Sequence, residues 1–203
     1  RGWREACGEY VFFVDADMII PQETLSEIRD VLSQVTPPDA LFVREIRSGN
    51  SWWIRVRNFE RSFYDATCVD GLRVIRRSIL ESVGGYDEAL FACEDWDLDR
   101  RVLAITRNVA LTQGHLIHNE ERLTFTRHLR KKRYYAGSFD TYIKKWGRDA
   151  VTRRQFGFYY RFICVFFEKG KWRRALCHPL FLFAIWGERI CVGMIYMLSR
   201  AFI

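Results

Sequence analysis

The sequence predicts an α/β fold in which short buried strands alternate with amphipathic helices. The chain has 203 residues, of which 49% are apolar, so it can bury one sizeable core. Residues 10–14 (YVFFV) form an unbroken apolar run of β-forming residues, typical of a strand buried on both faces of a parallel sheet. A helical repeat of apolar residues follows between Pro21 and Pro37, which completes one strand-helix step.

The first helix is expected to begin at Pro21, because a proline is well tolerated in the first helical turn. Its buried face is predicted from four apolar residues at helical spacing: Leu25, Ile28, Leu32 and Val35. Further strands are predicted at 40–43, 72–75, 109–111 and 116–117, and helices at 52–64, at 94–105 and in a short segment ending at Gly84-Gly85.

Charge is distributed unevenly along the chain. The whole chain carries a formal net charge of +7, and residues 122–174 contain 16 Lys and Arg against 3 Asp and Glu. This segment therefore carries +13 and the remainder −6. We expect the acidic part to hold a cation and the basic part to meet an anionic partner.

The cysteines and the start of the chain bear on the cellular compartment. The six cysteines are scattered and lack the spacing of a zinc site, so reduced cysteines in a cytosolic compartment are expected. Residues 1–9 are polar and do not resemble a signal peptide. Because a strand follows so early, an N-terminal segment is expected to be missing.

Two carboxylates, Asp15 and Asp17, directly follow the first predicted strand. In α/β proteins the carboxyl end of a strand opens onto the crevice where ligands bind. Hard oxygen ligands there suit Mg²⁺ or Mn²⁺, which in turn bind a diphosphate. The same Asp-x-Asp pattern opens phosphatases of the haloacid dehalogenase type, in which Asp15 would be the nucleophile, and it also occurs in surface turns.

A second acidic segment, Glu94-Asp95, lies at the start of a predicted helix and follows the glycine pair Gly84-Gly85. Adjacent glycines allow a sharp turn and a close approach of the backbone to a ligand. A carboxylate placed in the crevice can serve as the general base that a hydroxyl nucleophile needs. For Asp97 and Asp99 the simpler interpretation is preferred, namely that acids favour the first turns of a helix.

Three ordered segments resemble the successive signatures of family 2 glycosyltransferases. These are residues 8–17 (GEYVFFVDAD), 83–88 (VGGYDE) and 94–98 (EDWDL). The resemblance implies a GT-A fold, the Rossmann-like core of nucleotide-diphospho-sugar transferases, that here lacks its first β-α units. Those missing units would bind the nucleobase.

The resemblance also implies roles for individual residues. Asp17 would bind the metal, and Asp15 would contact the ribose of the donor or the metal. Asp95 would be the catalytic base, with Glu94 as its neighbour on the acceptor side. His118 falls where some GT-A enzymes place a further metal ligand, although a solvated loop is an equal alternative.

Arg73 is a candidate for the donor site on the basis of its chemistry. It lies in the predicted strand at 72–75, and the fork of a guanidinium suits phosphate oxygens. It is therefore predicted to contact the diphosphate of the donor or an anionic acceptor. The alternative is that Arg73 only covers a surface.

The basic segment and the apolar end of the chain predict association with a membrane. Basic and aromatic residues alternate in 122–146, and two apolar runs follow at 179–186 and 190–198, separated by Glu188-Arg189. Each run is shorter than the roughly 20 residues of a spanning helix, so an interfacial segment or a shallow hairpin is expected. For the apolar end, the alternative is a single span over 180–198. For the basic segment, the alternatives are a nucleic acid partner or a solvated face with no partner.

These interpretations combine into one hypothesis with three segments. Residues 1–121 would form a partial GT-A catalytic domain, 122–174 a basic aromatic amphipathic arm, and 175–203 an apolar membrane-associated tail. The predicted activity is metal-dependent, inverting transfer of a sugar from a nucleotide-diphosphate donor to a lipid-linked or glycan acceptor. It would take place on the cytoplasmic face of the cell membrane, with no nucleic acid partner. A haloacid dehalogenase-type phosphatase and a non-catalytic membrane-binding module are the competing hypotheses.

Overall fold

The computed structural model describes residues 2–121 and 123–201, with only the backbone described for 199–201. The strands of this part of the chain are β1 (Tyr10–Phe12), β2 (Met18–Ile19), β3 (Ala40–Arg47), β4 (Leu72–Arg76) and β5 (Val109–His118). Its α-helices are α1 (Gly2–Glu5), α2 (Gln22–Leu32), α3 (Trp52–Arg61), α4 (Arg77–Ser82), α5 (Glu94–Ile105), α6 (Phe125–Trp146), α7 (Ala150–Phe156), α8 (Val165–Phe167), α9 (Trp172–Leu176) and α10 (Pro179–Ala201). A π-helical turn at Tyr160–Cys164 and a 3-10 turn at Glu168–Gly170 flank α8.

The described residues form two compact units. The first unit consists of residues 2–48, 65–88 and 94–120, and it contains the β-sheet. The second unit is helical and consists of residues 49–64, 89–93, 121 and 123–201. The functional segments predicted at 1–121, 122–174 and 175–203 remain a prediction.

The first unit has a mixed α/β fold. Its sheet has the strand order β1-β4-β3-β5-β2, in which β3 and β5 are parallel and all other neighbours are antiparallel. Helices α4 and α5 bury Leu80, Leu98 and Val102 on one face of the sheet. Helix α2 buries Ile28 against Leu41 on the other face. The sheet is therefore covered by helices on both sides.

The position of β1 differs from the prediction of a strand inside a parallel sheet. β1 lies at the edge of the sheet and pairs only with β4, in antiparallel orientation, among the strands of the described chain. Its apolar run is explained by two separate contacts. Val11 belongs to the core on one face, whereas Tyr10 and Phe12 pack against the core on the other. An apolar run reports burial on two faces but not the position of the strand within the sheet.

The helical predictions for the first unit are confirmed at α5, whose bounds match the predicted 94–105. Helix α2 is shorter than predicted because it ends at Leu32, and Val35 is fully exposed at 101%. The two strands predicted at 109–111 and 116–117 form one continuous strand, β5. Gly114, near its centre, lies against Thr24 and Glu27 of α2, which a side chain at this position would prevent.

In the second unit, helix α10 packs against both α3 and α6. Ser51, Thr124 and Asp149 each accept a hydrogen bond from the first turn of a helix, which satisfies free backbone N–H groups. The chain end predicted as an interfacial segment or shallow hairpin is one continuous helix, α10. Glu188 and Arg189 do not break this helix because each has partners on α3 or α6.

Candidate active site

The first acidic motif lies on a tight turn that leaves the edge of the sheet. The Phe13 N–H donates to the carbonyl of Arg73 at 2.7 Å, which extends the pairing of β1 with β4. The Met18 N–H then donates to the carbonyl of Asp15 at 3.0 Å and closes the turn. The carbonyl of Asp17 accepts from the Asn119 N–H at 2.8 Å. The backbone is thus held at both ends, whereas the Asp15 and Asp17 side chains are each 54% exposed.

The second acidic motif is directed by the backbone that precedes α5. Gly84, Gly85 and Cys93 all adopt positive φ, so the chain turns sharply before and at the entrance of the helix, as the glycine pair predicted. The first turn of α5 then presents Asp95, whose Oδ1 accepts a hydrogen bond from the Tyr86 hydroxyl at 3.2 Å. Tyr86 is a site residue that sequence reasoning did not single out.

Burial and neighbouring charges set the protonation of Asp95. Burial raises the pKa of Asp95 above its usual range, and the charges of Asp15 and Glu45 raise it further. Arg73 and the hydrogen bond from Tyr86 act in the opposite direction without cancelling the effect. A carboxylate with a raised pKa is a stronger proton acceptor than an ordinary surface aspartate, which suits a general base.

Arg73 connects the two acidic motifs. Its Nη2 lies 3.4 Å from Asp15 Oδ2, and its Nε donates to Glu45 Oε1 at 2.7 Å. Although burial alone would lower the pKa of Arg73, the charges of Glu45, Asp95 and Asp15 raise it above its usual value. The guanidinium is therefore charged, contacts Asp15 of the first motif and is influenced by the charge of Asp95 in the second. Asp15 and Asp95 are far apart in sequence, yet both influence the same cation, Asp15 by direct contact and Asp95 through its charge.

Glu45 is the residue of this cluster that the sequence analysis missed. It is 9% exposed and lies on β3, which was predicted to end at Val43. The pairing of β3 with β5 shifts register between Phe42 and Arg44, which indicates a bulge just before Glu45. Bulges re-aim side chains near functional sites. An acid two residues beyond an apolar strand was the only available signal.

His118, the last residue of β5, lies close to three carboxylates. Its Nδ1 is 3.7 Å from Asp17 Oδ1, and its Nε2 is 3.9 Å from Asp15 Oδ2 and 3.7 Å from Glu45 Oε2. Burial lowers the pKa of His118, which favours the neutral form that binds metals. Within the described part of the chain, Nδ1 is buried and has no hydrogen-bond partner.

These donors match the ligand chemistry of Mg²⁺ or Mn²⁺ without forming a closed cage. No group of three or more His, Cys, Asp or Glu in residues 2–121 and 123–201 has an arrangement that would hold a metal by itself. Mg²⁺ commonly takes one or two protein carboxylates and fills its remaining positions with water and substrate phosphates. The exposed carboxylates of Asp15 and Asp17, with the unpartnered nitrogen of His118, fit such an open arrangement.

The other acids of α5 have different surroundings. Glu94 is partly buried, and burial together with the charge of Asp95 raises its pKa. Asp97 is fully buried and pairs with Arg101 at 2.7 Å, and Asp99 accepts from the Leu72 N–H at 3.0 Å. Asp97 therefore forms an ion pair within α5, and Asp99 links α5 to β4.

Comparisons with known proteins give a similarity among solved structures. No protein-family model matches the chain, and no curated protein sequence matches it. Among solved structures, the chain is similar to the mannosyltransferase PcManGT from Pyrobaculum calidifontis in complex with GDP-Man and Mn²⁺. The sequences are 17% identical and the TM-score is 0.49. The similarity covers 98% of this chain and 52% of that protein, so the chain spans about half of its length.

Proposed function

We propose that this protein is an inverting, metal-dependent glycosyltransferase of the GT-A type. It would transfer a sugar from a nucleotide-diphosphate donor to a lipid-linked or glycan acceptor at the cytoplasmic face of a membrane. The observation that carries the proposal is that Arg73 contacts Asp15 directly and is also influenced by the charge of Asp95. The two acidic motifs that resemble family 2 signatures thus contribute to one cluster, which is the arrangement that sugar transfer requires.

On the donor side, Asp15, Asp17 and His118 are the residues that would hold Mg²⁺ or Mn²⁺. When bound, such an ion would offset the negative charge that develops on the departing diphosphate. The turn that carries Asp15 and Asp17 is fixed by backbone hydrogen bonds, so both carboxylates are positioned before a donor arrives. Arg73 would hold Asp15 in place and would contact the diphosphate through N–H groups that Glu45 does not occupy.

On the acceptor side, Asp95 would remove the proton of the attacking hydroxyl. Inversion needs such a base on the sugar face opposite to the departing nucleotide, and a pKa raised by burial suits this task. The Tyr86 hydroxyl, 3.2 Å from Asp95 Oδ1, would orient the carboxylate. Glu94 is adjacent and partly buried, so it would contact the acceptor rather than accept the proton.

Association with a membrane surface is the second part of the proposal. Residues 122–174 carry a net charge of +13, and α10 exposes large apolar side chains such as Leu180 and Phe183. Cations near an anionic leaflet contribute about 1 kcal/mol each, so this combination favours membrane over nucleic acid. A membrane surface would also bring the site close to a lipid-linked acceptor.

The test of the activity is a screen of sugar nucleotides for release of nucleoside diphosphate. Membranes containing the protein are incubated with each donor and Mn²⁺, with and without EDTA. We expect release with at least one donor, and its loss when EDTA removes the metal. Release that is unaffected by EDTA would contradict the metal requirement. Absence of release and of donor binding with every nucleotide would favour the non-catalytic membrane-binding module.

A further inference from the structure

Helix α10 has two faces with opposite surroundings. One face is buried in the helical unit and includes Leu182 (9% exposed), Ile185 (0%), Glu188 (3%) and Arg189 (8%). The opposite face carries an outer stripe of exposed apolar side chains: Leu180, Phe183, Ile190, Met194 and Met197. The members of the outer stripe recur at helical spacing, so they cover one side of the helix along its length.

By composition alone, α10 would be taken for a spanning helix. Residues Pro179–Leu198 are 20 residues long with a mean hydropathy of 1.6, and 17% of this window is buried. About 20 apolar residues suffice to cross the hydrocarbon core of a bilayer. The side-chain contacts of the helix decide whether it is free to do so.

Helix α10 is attached to its neighbours at two levels along its length. At its middle, Glu188 Oε1 lies 2.9 Å from His128 Nε2 of α6, and Arg189 Nη2 lies 2.7 Å from Glu60 Oε1 of α3. Nearer its end, the Tyr196 hydroxyl donates to Asp140 Oδ1 of α6 at 2.6 Å. The stretch of α6 between these two attachment points therefore lies at the same depth as this half of α10.

That stretch of α6 contains three exposed cations, Arg130, Lys131 and Arg133. If α10 crossed the bilayer with its contacts intact, these cations would enter the hydrocarbon, where charged side chains are costly. If α10 lies along the surface, they can remain in water or among anionic headgroups. The segment before α10 adds Trp172, Arg173 and Arg174, a mixture of aromatic and basic residues suited to an interface.

We propose that α10 lies in the plane of an anionic lipid bilayer, with the outer stripe inserted at the boundary of headgroups and acyl chains, and does not cross it. The partner is the lipid surface, and the charge complementarity of the basic segment identifies it as anionic. This inference rests on the membrane association in the proposed function. Its tests measure the membrane side of the two chain ends and the binding of the protein to lipid vesicles. Their outcomes do not depend on sugar transfer.

The first test compares the membrane side of the two ends of the chain. A protease-cleavable epitope is placed before Arg1 in one variant and after Ile203 in another, and inverted membrane vesicles from expressing cells are treated with external protease. An in-plane helix predicts cleavage of both epitopes without detergent. Cleavage of the first epitope alone, with the second protected until detergent is added, would establish a span and overturn the proposal.

The second test removes apolar contact without changing charge. Phe183→Ser combined with Met194→Ser shortens two exposed side chains of the outer stripe, so the fold should be retained, as checked by circular dichroism. Flotation with equimolar phosphatidylcholine and phosphatidylglycerol vesicles is expected to fall about tenfold, since insertion scales with buried apolar area. Val35→Ser, at a fully exposed position of the other unit, is the matched control and should float normally. Equal flotation of the double variant and the control would refute the role of the stripe.

Discussion

Each unit contains a cluster of charged residues around an arginine. The two clusters differ in how far their acidic side chains are exposed to solvent. In the sheet unit, Arg73 pairs with buried Glu45, while the Asp15 and Asp17 side chains are 54% exposed. In the helical unit, the Glu60 and Glu188 side chains are 1% and 4% exposed. Both of these buried acids have short contacts to basic partners.

The difference separates a cluster that can bind a ligand from one that holds a structure together. Burial alone would raise the pKa of Glu60. The charges of Arg57 and Arg189 nevertheless hold this pKa well below its usual value, and the Tyr64 hydroxyl donates a hydrogen bond to Glu60. Charged groups that are buried in this way are stable only when each of them keeps its oppositely charged partner. Asp15 and Asp17 instead keep oxygen atoms accessible to solvent, so a cation and a diphosphate can approach them.

Replacement of Asp95 by Asn is expected to have the largest effect of the variants considered. The amide cannot accept the acceptor proton, so turnover should fall about 10²- to 10⁴-fold while donor binding is retained. Nucleoside diphosphate release measures turnover, and titration calorimetry with the donor measures binding. Glu81→Gln, an exposed acid on α4, is the control and should retain activity. Normal transfer by Asp95→Asn would show that the base is another residue.

The helical cluster can be broken by Glu60→Gln. Loss of this buried acid removes the partner of Arg189 and leaves Arg57 with Glu188 at 3.7 Å, which should lower the free energy of unfolding by about 3–5 kcal/mol. Glu9→Gln disrupts an ion pair with Arg76 in which the Glu9 side chain is 69% exposed, and it should cost at most about 1 kcal/mol. Denaturant titrations compare the two. Similar losses would erase the distinction between the clusters.

In the cluster of the sheet unit, Asp17→Asn should weaken the binding of the metal and of the donor together. Changing a residue that merely orients a metal ligand costs about 10- to 100-fold in affinity, so loss of a ligand should cost at least as much. Titration of Mn²⁺ in the presence of donor, and of donor in the presence of Mn²⁺, gives both values. Asp30→Asn, an exposed acid on α2, is the matched control. A variant that loses only one of the two affinities would argue against a shared site.

The smallest effect is expected for Tyr86→Phe. The hydrogen bond from Tyr86 lowers the pKa of Asp95, so its removal should raise that pKa further. Because the base must be deprotonated, the acid limb of the pH profile of kcat/KM should move to higher pH, with a loss of about fivefold near that limb. Tyr10→Phe, whose hydroxyl donates to the Pro38 carbonyl, should leave the profile in place. An unchanged profile in Tyr86→Phe would exclude Tyr86 as a positioning residue for Asp95.

The sequence predicted the helices and strands of the sheet unit better than their arrangement. Helix α5 has the predicted bounds because its apolar repeat and acidic first turn are local signals. The strand at residues 10–14 was assigned to the interior of a parallel sheet, yet β1 lies at an antiparallel edge. Helix α10 was expected to be interrupted at Glu188-Arg189, yet partners on α3 and α6 allow it to continue. In both cases the deciding contacts come from residues far away in sequence.

For the candidate site, the sequence identified residues but not how they contact one another. Asp15, Asp17, Asp95, Arg73 and His118 all lie in one unit, and the structure adds short contacts among most of them. The sequence did not identify Glu45 and Tyr86 as site residues. Glu45 depends on a bulge in β3, and the contact of Tyr86 depends on the turn that follows two glycines with positive φ.

By itself the sequence determined the alternation of strands and helices, the two acidic motifs and the separation of charge between segments. These features depend on neighbouring residues and on composition, both of which are known from the sequence without the fold. Only the tertiary structure decided that Arg73 contacts Asp15 and Glu45 and is influenced by the charge of Asp95, and that α10 is attached to a basic helix. The physical reason is that burial and electrostatic contact act over ångströms in space, whatever the separation along the chain.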